Sequence, residues 1–160
     1  MSGEITVSQL PVDFDDWDGL LALIRRAFAY MDGIIDPPSS AHLLTPELLR
    51  DKAQAETIFL AYQGQALVGC VALADRGDRL YLGKLAVDPD VQGRGIGRGL
   101  LGAAEQFARA RGLPTIELQT RIELAGNHKT FARLGFVETG RTAHPGYDRP
   151  TSITMLKSLA

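Results

Sequence analysis

Leu85-Ala86-Val87-Asp88-Pro89-Asp90-Val91-Gln92-Gly93-Arg94-Gly95-Ile96-Gly97-Arg98-Gly99-Leu100-Leu101 is a strand end, a turn and a helix start in one piece. The apolar run Leu80 to Val87 stops at Asp88-Pro89-Asp90, because proline fixes its own φ, has no N–H and pushes the preceding residue out of the helical region. Beyond it, Ile96, Leu100, Leu101, Ala104 and Phe107 recur at three- and four-residue spacing, so a helix starts inside the run of alternate glycines Gly93, Gly95, Gly97 and Gly99. Glycines at a helix start let a ligand approach the backbone, and the first turn offers unpaired N–H groups backed by the positive end of the helix dipole. An anion belongs there. The dipole alone contributes about 0.3 to 1 kcal/mol when exposed, so several N–H bonds, with Arg94 and Arg98 nearby, are needed to hold something the size of a pyrophosphate.

Two common phosphate loops are excluded. At the turn the G-x-G-x-x-G fingerprint fails, because Gly93 and Gly95 are followed three residues on by Arg98, and Gly95 and Gly97 by Leu100; the spacing recurs only at Gly97, Gly99 and Gly102, inside the helical repeat rather than between strand and helix, and a G-x-x-x-x-G-K loop is absent as well. What fits is Gln92-Gly93-Arg94-Gly95-Ile96-Gly97, which resembles the Gln/Arg-x-x-Gly-x-Gly/Ala loop by which the GNAT family of N-acetyltransferases binds the pyrophosphate of coenzyme A. Leu85-Ala86-Val87 is similar to that family's splayed fourth strand. Asn127 to Phe136, a helix followed by Leu134-Gly135-Phe136, resembles its second signature. The resemblance covers Ile58 to Phe136 well and the ends more loosely.

The resemblance implies an α/β (α+β) fold: a mixed central sheet of about six to seven strands flanked by about four helices, with the fourth and fifth strands splayed, as one domain over residues 1–160. It implies acetyl-CoA as co-substrate, direct transfer to a primary amine of a small molecule, and no metal. A homodimer is compatible with it. A non-catalytic acyl-CoA-binding module on the same fold, or a protein N-acetyltransferase, stays open as an alternative.

Composition agrees and narrows the field. The chain has 160 residues, 45% of them hydrophobic, enough for one domain with a proper core. A net charge of -2 shows none of the basic excess of a general nucleic-acid binder. The single cysteine, Cys70, leaves no internal disulfide or cysteine-rich metal site. No run approaches the ~20 apolar residues of a membrane span, and the N-terminus lacks a basic segment followed by an apolar stretch. A protein of the cytoplasm that meets neither membrane nor nucleic acid is expected.

In order along the chain, Glu4 to Leu10 alternates as a short strand, and Asp13, Asp15, Asp16 and Asp18 sit where a helix N-terminus favours negative charge, a cap and solvated face rather than a metal site. Met31 to Leu44 reads as a long loop before a helix capped by Thr45 with Pro46 in its first turn. Thr57 to Tyr62 and Leu67 to Ala74 form a hairpin through Gln63-Gly64, and Arg76-Gly77-Asp78 turns into the strand ending at Val87. Cys70, mid-strand, is a small core residue. The helix from Gly95 to about Arg111 stops at Gly112 and Pro114, Thr115 to Arg121 is a strand, and Ala125 to Leu134 is a helix. A loop with His144, Tyr147 and Arg149 precedes a last strand from Thr151.

Acetyl transfer to an amine requires loss of a proton from an ammonium of pKa near ~10, a donor for the oxyanion, and departure of the thiolate. By carry-over from the family, the oxyanion donor is the backbone N–H of Leu85, Ala86 or Val87, and Asn127 and Phe131 line the cofactor arm. Many family members place a tyrosine acid where this chain has Phe131, which cannot donate a proton. Another group or water then serves, Tyr147 or Tyr81 being the candidates, or the thiolate leaves unprotonated, which its pKa of ~8.5 permits. For the base, Glu117 on the fifth strand is available, as is Glu123 just after it, or a base acting through water. The family walls its acceptor site with the first inter-helix connection and the last hairpin. That implies Met31 to His42, including Met31 and Asp36, facing His144 to Arg149, with Arg149 and His144 favouring an acceptor that carries a carboxylate.

Overall fold

A computed structural model describes residues 4–159; Met1 to Gly3 and Ala160, the ends of the expected domain, lie outside them. Strand β1 (Ile5–Gln9) leads to helix α1 (Trp17–Phe28), two short 3-10 turns (Ala29–Met31 and Ser40–Leu43) and helix α2 (Pro46–Ala55). Strands β2 (Thr57–Gln63), β3 (Ala66–Asp75) and β4 (Leu80–Val87) deliver the chain to helix α3 (Ile96–Ala110). Strand β5 (Thr115–Arg121), helix α4 (Ala125–Arg133) and strands β6 (Val137–Thr142) and β7 (Ser152–Ser158) complete it.

The local chemistry matches these bounds. The Asp16 carboxylate accepts the Gly19 N–H (3.1 Å) at the head of α1, and Thr45 Oγ1 accepts the Leu48 N–H (3.1 Å) at the head of α2, where Pro46 needs no partner for a missing N–H. Gly112 at φ +69° and Gly135 at φ +101° close α3 and α4 in the left-handed region that glycine tolerates. The interval between Met31 and Leu44, read as loop, contains the turn Ser40–Leu43, capped by Ser39 through the Ala41 N–H.

The strands form one seven-stranded sheet in the order β1-β2-β3-β4-β5-β7-β6. Helices α1 and α2 bury Leu20, Leu23, Ile24 and Leu49 against Leu60, Cys70 and Ala72 on one face. On the other face α3 buries Ile96, Leu100, Leu101 and Ala104 against Val71, Leu80 and Leu82, with Phe136 closing the end below α4. Each such leucine, fully buried, stabilises the fold by roughly 1.5–3 kcal/mol. Gly69 permits the close approach of α3: a Cβ there would stand 2.9 Å from Ile96 Cγ2 and 3.0 Å from Leu100 Cδ1. Cys70 is buried, and burial pushes its thiol up to about 12, so it serves as packing.

Two irregularities in β4 shape everything that follows. Opposite β3, Cys70 pairs with Ala86 and Ala72 with Gly83, so β4 spends one residue more than its partner and bulges at Lys84-Leu85. Lys84 sits at φ +49°, a left-handed conformation that costs a non-glycine residue about 1–2 kcal/mol. Parallel to β5, β4 pairs only through Leu80 with Ile116 and Tyr81 with Glu117, and beyond that pair the two strands part. The sheet therefore opens at the carboxyl ends of β4 and β5, where ligands of parallel strands gather.

Candidate active site

The loop leaving β4 is fixed at its base. Asp88 N–H continues the sheet by donating to Val68 O (2.8 Å), while the Asp88 carboxylate accepts the Asp90 N–H (3.0 Å) and pairs with Arg26 of α1 (2.9 Å). The backbone bond from Asp90, then Arg26, holds this carboxyl below its usual range. Past the turn Pro89–Val91, Gly93 and Gly95 take φ of +83° and +80°, and a Cβ at either would meet nothing within 4 Å. The first helical bond of α3 is Gly99 N–H to Gly95 O (2.9 Å), and no side chain caps the N–H groups before it. Gly95, Ile96, Gly97 and Arg98 thus present N–H donors beside the exposed backbone of Gln92 to Arg94, an arrangement that can hold a pyrophosphate. Arg94 reaches Gln63 Oε1 (3.4 Å), and the Arg98 side chain is exposed.

The glycine loop follows β4 and α4 follows β5, so the parallel pairing brings loop and α4 to the same edge of the sheet. Asn127 Nδ2 donates to the Tyr30 hydroxyl (3.2 Å), joining α4 to the turn that follows α1, and half-buried Phe131 stacks edge-on against Phe136 with centroids 5.7 Å apart. Leu85, on the bulge, and Ala86 and Val87, just beyond it, lie at the mouth of the splay.

Glu117 is not brought to this edge. It pairs with Tyr81 at the closed end of the splay, four residues before Leu85, about 13 Å along a strand. Its carboxylate lies 3.7 Å from Arg79 and 3.9 Å from Arg76, whose guanidinium covers the Tyr81 ring at 4.0 Å. Tyr81, whose hydroxyl burial pushes up, belongs to the same distant group.

The two acceptor-wall segments do meet. Tyr147 donates its hydroxyl to Asp36 Oδ1 (2.6 Å) and Arg149 pairs with Asp36 Oδ2 (3.0 Å). The bond to Asp36 holds the Tyr147 hydroxyl above its usual range. Arg149, read from sequence as a cation for the acceptor, is already engaged by a carboxylate of its own chain. Met31 packs with Ile35 and Leu124, pinning the loop to the head of α4, and the same loop encloses a cleft of about 440 Å³ over Asp32, Ile34 and His42. His144 is bound to Thr151 Oγ1 through both its backbone N–H and its ring; burial, then Arg121 nearby, pushes its imidazole down. Both partners of the Arg149–Asp36 pair are half exposed, so Arg149→Ala is expected to cost about 1 kcal/mol of stability or less. The same change is expected to speed hydrogen exchange at Asp36, which exchange mass spectrometry reads.

Three residues that the sequence reading left aside or only touched stand at this mouth. Asp36 N–H donates to Glu123 Oε2 (3.2 Å), while Glu123 Oε1 is buried and has no hydrogen-bond partner among the described residues. Arg121, at the end of β5, donates to the carbonyls of Pro37 and Pro38. Lys84, on the bulge, donates to Ser40 Oγ (2.7 Å). The one available signal for Lys84 was a lone cation inside an apolar strand run. Among the described residues no group of three or more His, Cys, Asp or Glu could hold a metal, and no helix is long and apolar enough to cross a membrane.

Comparison with known proteins agrees with this geometry. The family model described as "Acetyltransferase (GNAT) family" matches residues 17–136. A protein of Azospirillum brasilense named "IAA acetyltransferase" is 33% identical, over 89% of this chain and 92% of its own. The PaiA N-acetyltransferase of Thermoplasma acidophilum, crystallised with coenzyme A, superposes with a TM-score of 0.81 at 19% identity, over 97% of this chain and 99% of its own. A ribosomal-protein-alanine N-acetyltransferase of Escherichia coli gives 0.75 at 25% identity, over 98% and 95%.

Proposed function

Because the chain belongs to the acetyltransferase (GNAT) family, we propose that it moves an acetyl group from acetyl-CoA directly to a primary amine of a small molecule. The observation that carries this reading is the uncapped start of α3, entered through two left-handed glycines and set at the mouth of the splayed β4 and β5. In this reading the backbone from Gln92 to Gly97, with Arg94 and Arg98, holds the pyrophosphate, and Asn127 and Phe131 line the arm. Acetyl-CoA supplies the activated acyl carbon. An N–H of Leu85, Ala86 or Val87 donates to the carbonyl oxygen, where charge develops.

Glu123 takes the proton from the acceptor ammonium, directly or through one water. Its support is positional: the carboxylate follows β5 at the open edge, is oriented by the Asp36 N–H, and keeps one buried oxygen without a partner. The role is assigned here to Glu123 in preference to Glu117, which pairs with Tyr81 at the closed end and lies between two arginines. No tyrosine acid is needed. Phe131→Tyr is accordingly expected to add no basic limb to the pH profile of kcat; a new limb with increased turnover would show that an acid had been missing. Thiol release from acetyl-CoA across a panel of amines tests the reading as a whole, and coenzyme binding with no turnover across the panel would leave a binding module.

A further inference from the structure

We propose that Lys84 and Ser40, with Arg121 behind them, form an anion subsite at the mouth of the splay, so that the amine acetylated here carries a carboxylate, as an amino acid does. This rests on the acetyl-transfer reading above and names the acceptor class for that site.

The subsite begins with the bulge. An ordinary strand would point successive residues to opposite faces, but the extra residue and the φ of +49° at Lys84 turn its side chain to the face carrying α1, α2 and the loop between them. Non-glycine residues held in this region gather where function sets the geometry. There Nζ donates to Ser40 Oγ (2.7 Å), and among the described residues it has no other hydrogen-bond partner and enters no ion pair. An ammonium has three donors and Ser40 keeps its own O–H to give, so Nζ and Oγ together can still serve an anion.

The charges around Lys84 are of the wrong sign for a structural ion pair. Burial, then Lys52 and Arg121 nearby, hold its ammonium below the usual range, against the opposing influence of Glu56 and Cys70. Glu56 is itself paired with Lys52 at 2.9 Å. Arg121 satisfies the carbonyls of Pro37 and Pro38 rather than a carboxylate, and feels Glu123, Tyr147 and Asp36 nearby. A half-buried cation with a hydroxyl for a partner and cations for neighbours is a poor structural device. It becomes a good one when an anion arrives. Lys84 adjoins Leu85, the first of the three residues whose N–H is proposed for the carbonyl oxygen, and the Glu123 carboxylate lies within the field of Arg121. A zwitterion fits this polarity, carboxylate to Lys84 and ammonium to Glu123. Arg149 already has a carboxylate partner in Asp36, so the clamp is assigned to Lys84, which has none among the described residues.

The test pairs α-amino acids with their primary amides. In thiol-release assays the wild type is expected to favour the acids at least 10-fold in kcat/KM, and Lys84→Met to bring that ratio close to one through the KM of the acid. Ser40→Ala lowers the ratio less. Calorimetry on the coenzyme-A-loaded protein supplies a readout free of turnover. N-acetyl amino acids are expected to bind the wild type at least 10-fold tighter than N-acetyl amino acid amides, and Lys84→Met to lose that difference while its affinity for coenzyme A is kept. Melting controls for folding: without an anion, Lys84→Met is expected to melt no lower than the wild type, and Lys84→Gln gives the same readouts if the methionine variant does not fold. Turnover of amines with no preference for acids, or a preference that survives in Lys84→Met, overturns the subsite and leaves the transferase. Lys84-dependent binding of N-acetyl amino acids with no turnover of any amine keeps the subsite and removes the transferase.

Discussion

Replacing Glu123 with glutamine is expected to lower kcat/KM at neutral pH by about 100-fold, the lower end of what a general base contributes, for any amine that the wild type acetylates. Glutamine keeps the shape and the acceptor for the Asp36 N–H, so the affinity for acetyl-CoA is expected to stay within about two-fold. What it cannot do is receive a proton from an ammonium. The residual rate then depends on acceptor already neutral in solution, and an alkylamine of pKa near ~10 becomes more neutral as pH rises. The variant is therefore expected to gain activity tenfold per pH unit through the range where the wild type has levelled off. A merely structural glutamate would produce a variant slowed equally at every pH. Retention of wild-type kcat/KM by a folded Glu123→Gln protein would remove Glu123 from the proton path.

What could be read in the sequence divides along the range of the forces involved. The turn at Asp88-Pro89-Asp90, the cap by Thr45, the helix opening at Gly95 and the stop at Gly112 depend on a residue's own backbone preferences, and each lies where the sequence places it. So do the glycine loop and the order of strands and helices that carry the family resemblance. The site depends on register, which is set between segments far apart in the chain. Nothing near Glu117 says that β4 and β5 pair only at their starts; that pairing leaves Glu117 at the closed end of the splay and Glu123 at the open one. Nothing near Lys84 says that Cys70 and Ala72 of β3 will oppose Ala86 and Gly83 and force a bulge. The same holds for Arg149. As an isolated loop cation it reads as free for a ligand, and its carboxylate partner, Asp36, comes from the other end of the chain. The interposition of β7 between β5 and β6 is likewise a matter of pairing partners.

The glycine loop remains the feature on which the functional account turns, and Gly97→Asp probes it without unfolding it. Unlike Gly93 and Gly95, Gly97 has no positive φ, and a Cβ there would meet only Val87 Cγ2 at 3.8 Å, an ordinary contact. An aspartate in the first turn of α3 suits the helix dipole, and removing a glycine from a helix gains up to about 1 kcal/mol. Thermal stability is expected to hold or rise. The same carboxylate would stand where the pyrophosphate binds. Each backbone N–H bond to a charged group contributes about 1.5–3 kcal/mol, so losing one or two, with repulsion added, corresponds to at least a 100-fold weakening. Titration calorimetry of acetyl-CoA into wild type and Gly97→Asp is the direct measurement. The account predicts clear binding by the wild type and a Kd raised at least 100-fold in a variant that melts no lower. Equal affinity in the folded variant would contradict it and place the coenzyme, if it binds, away from this loop.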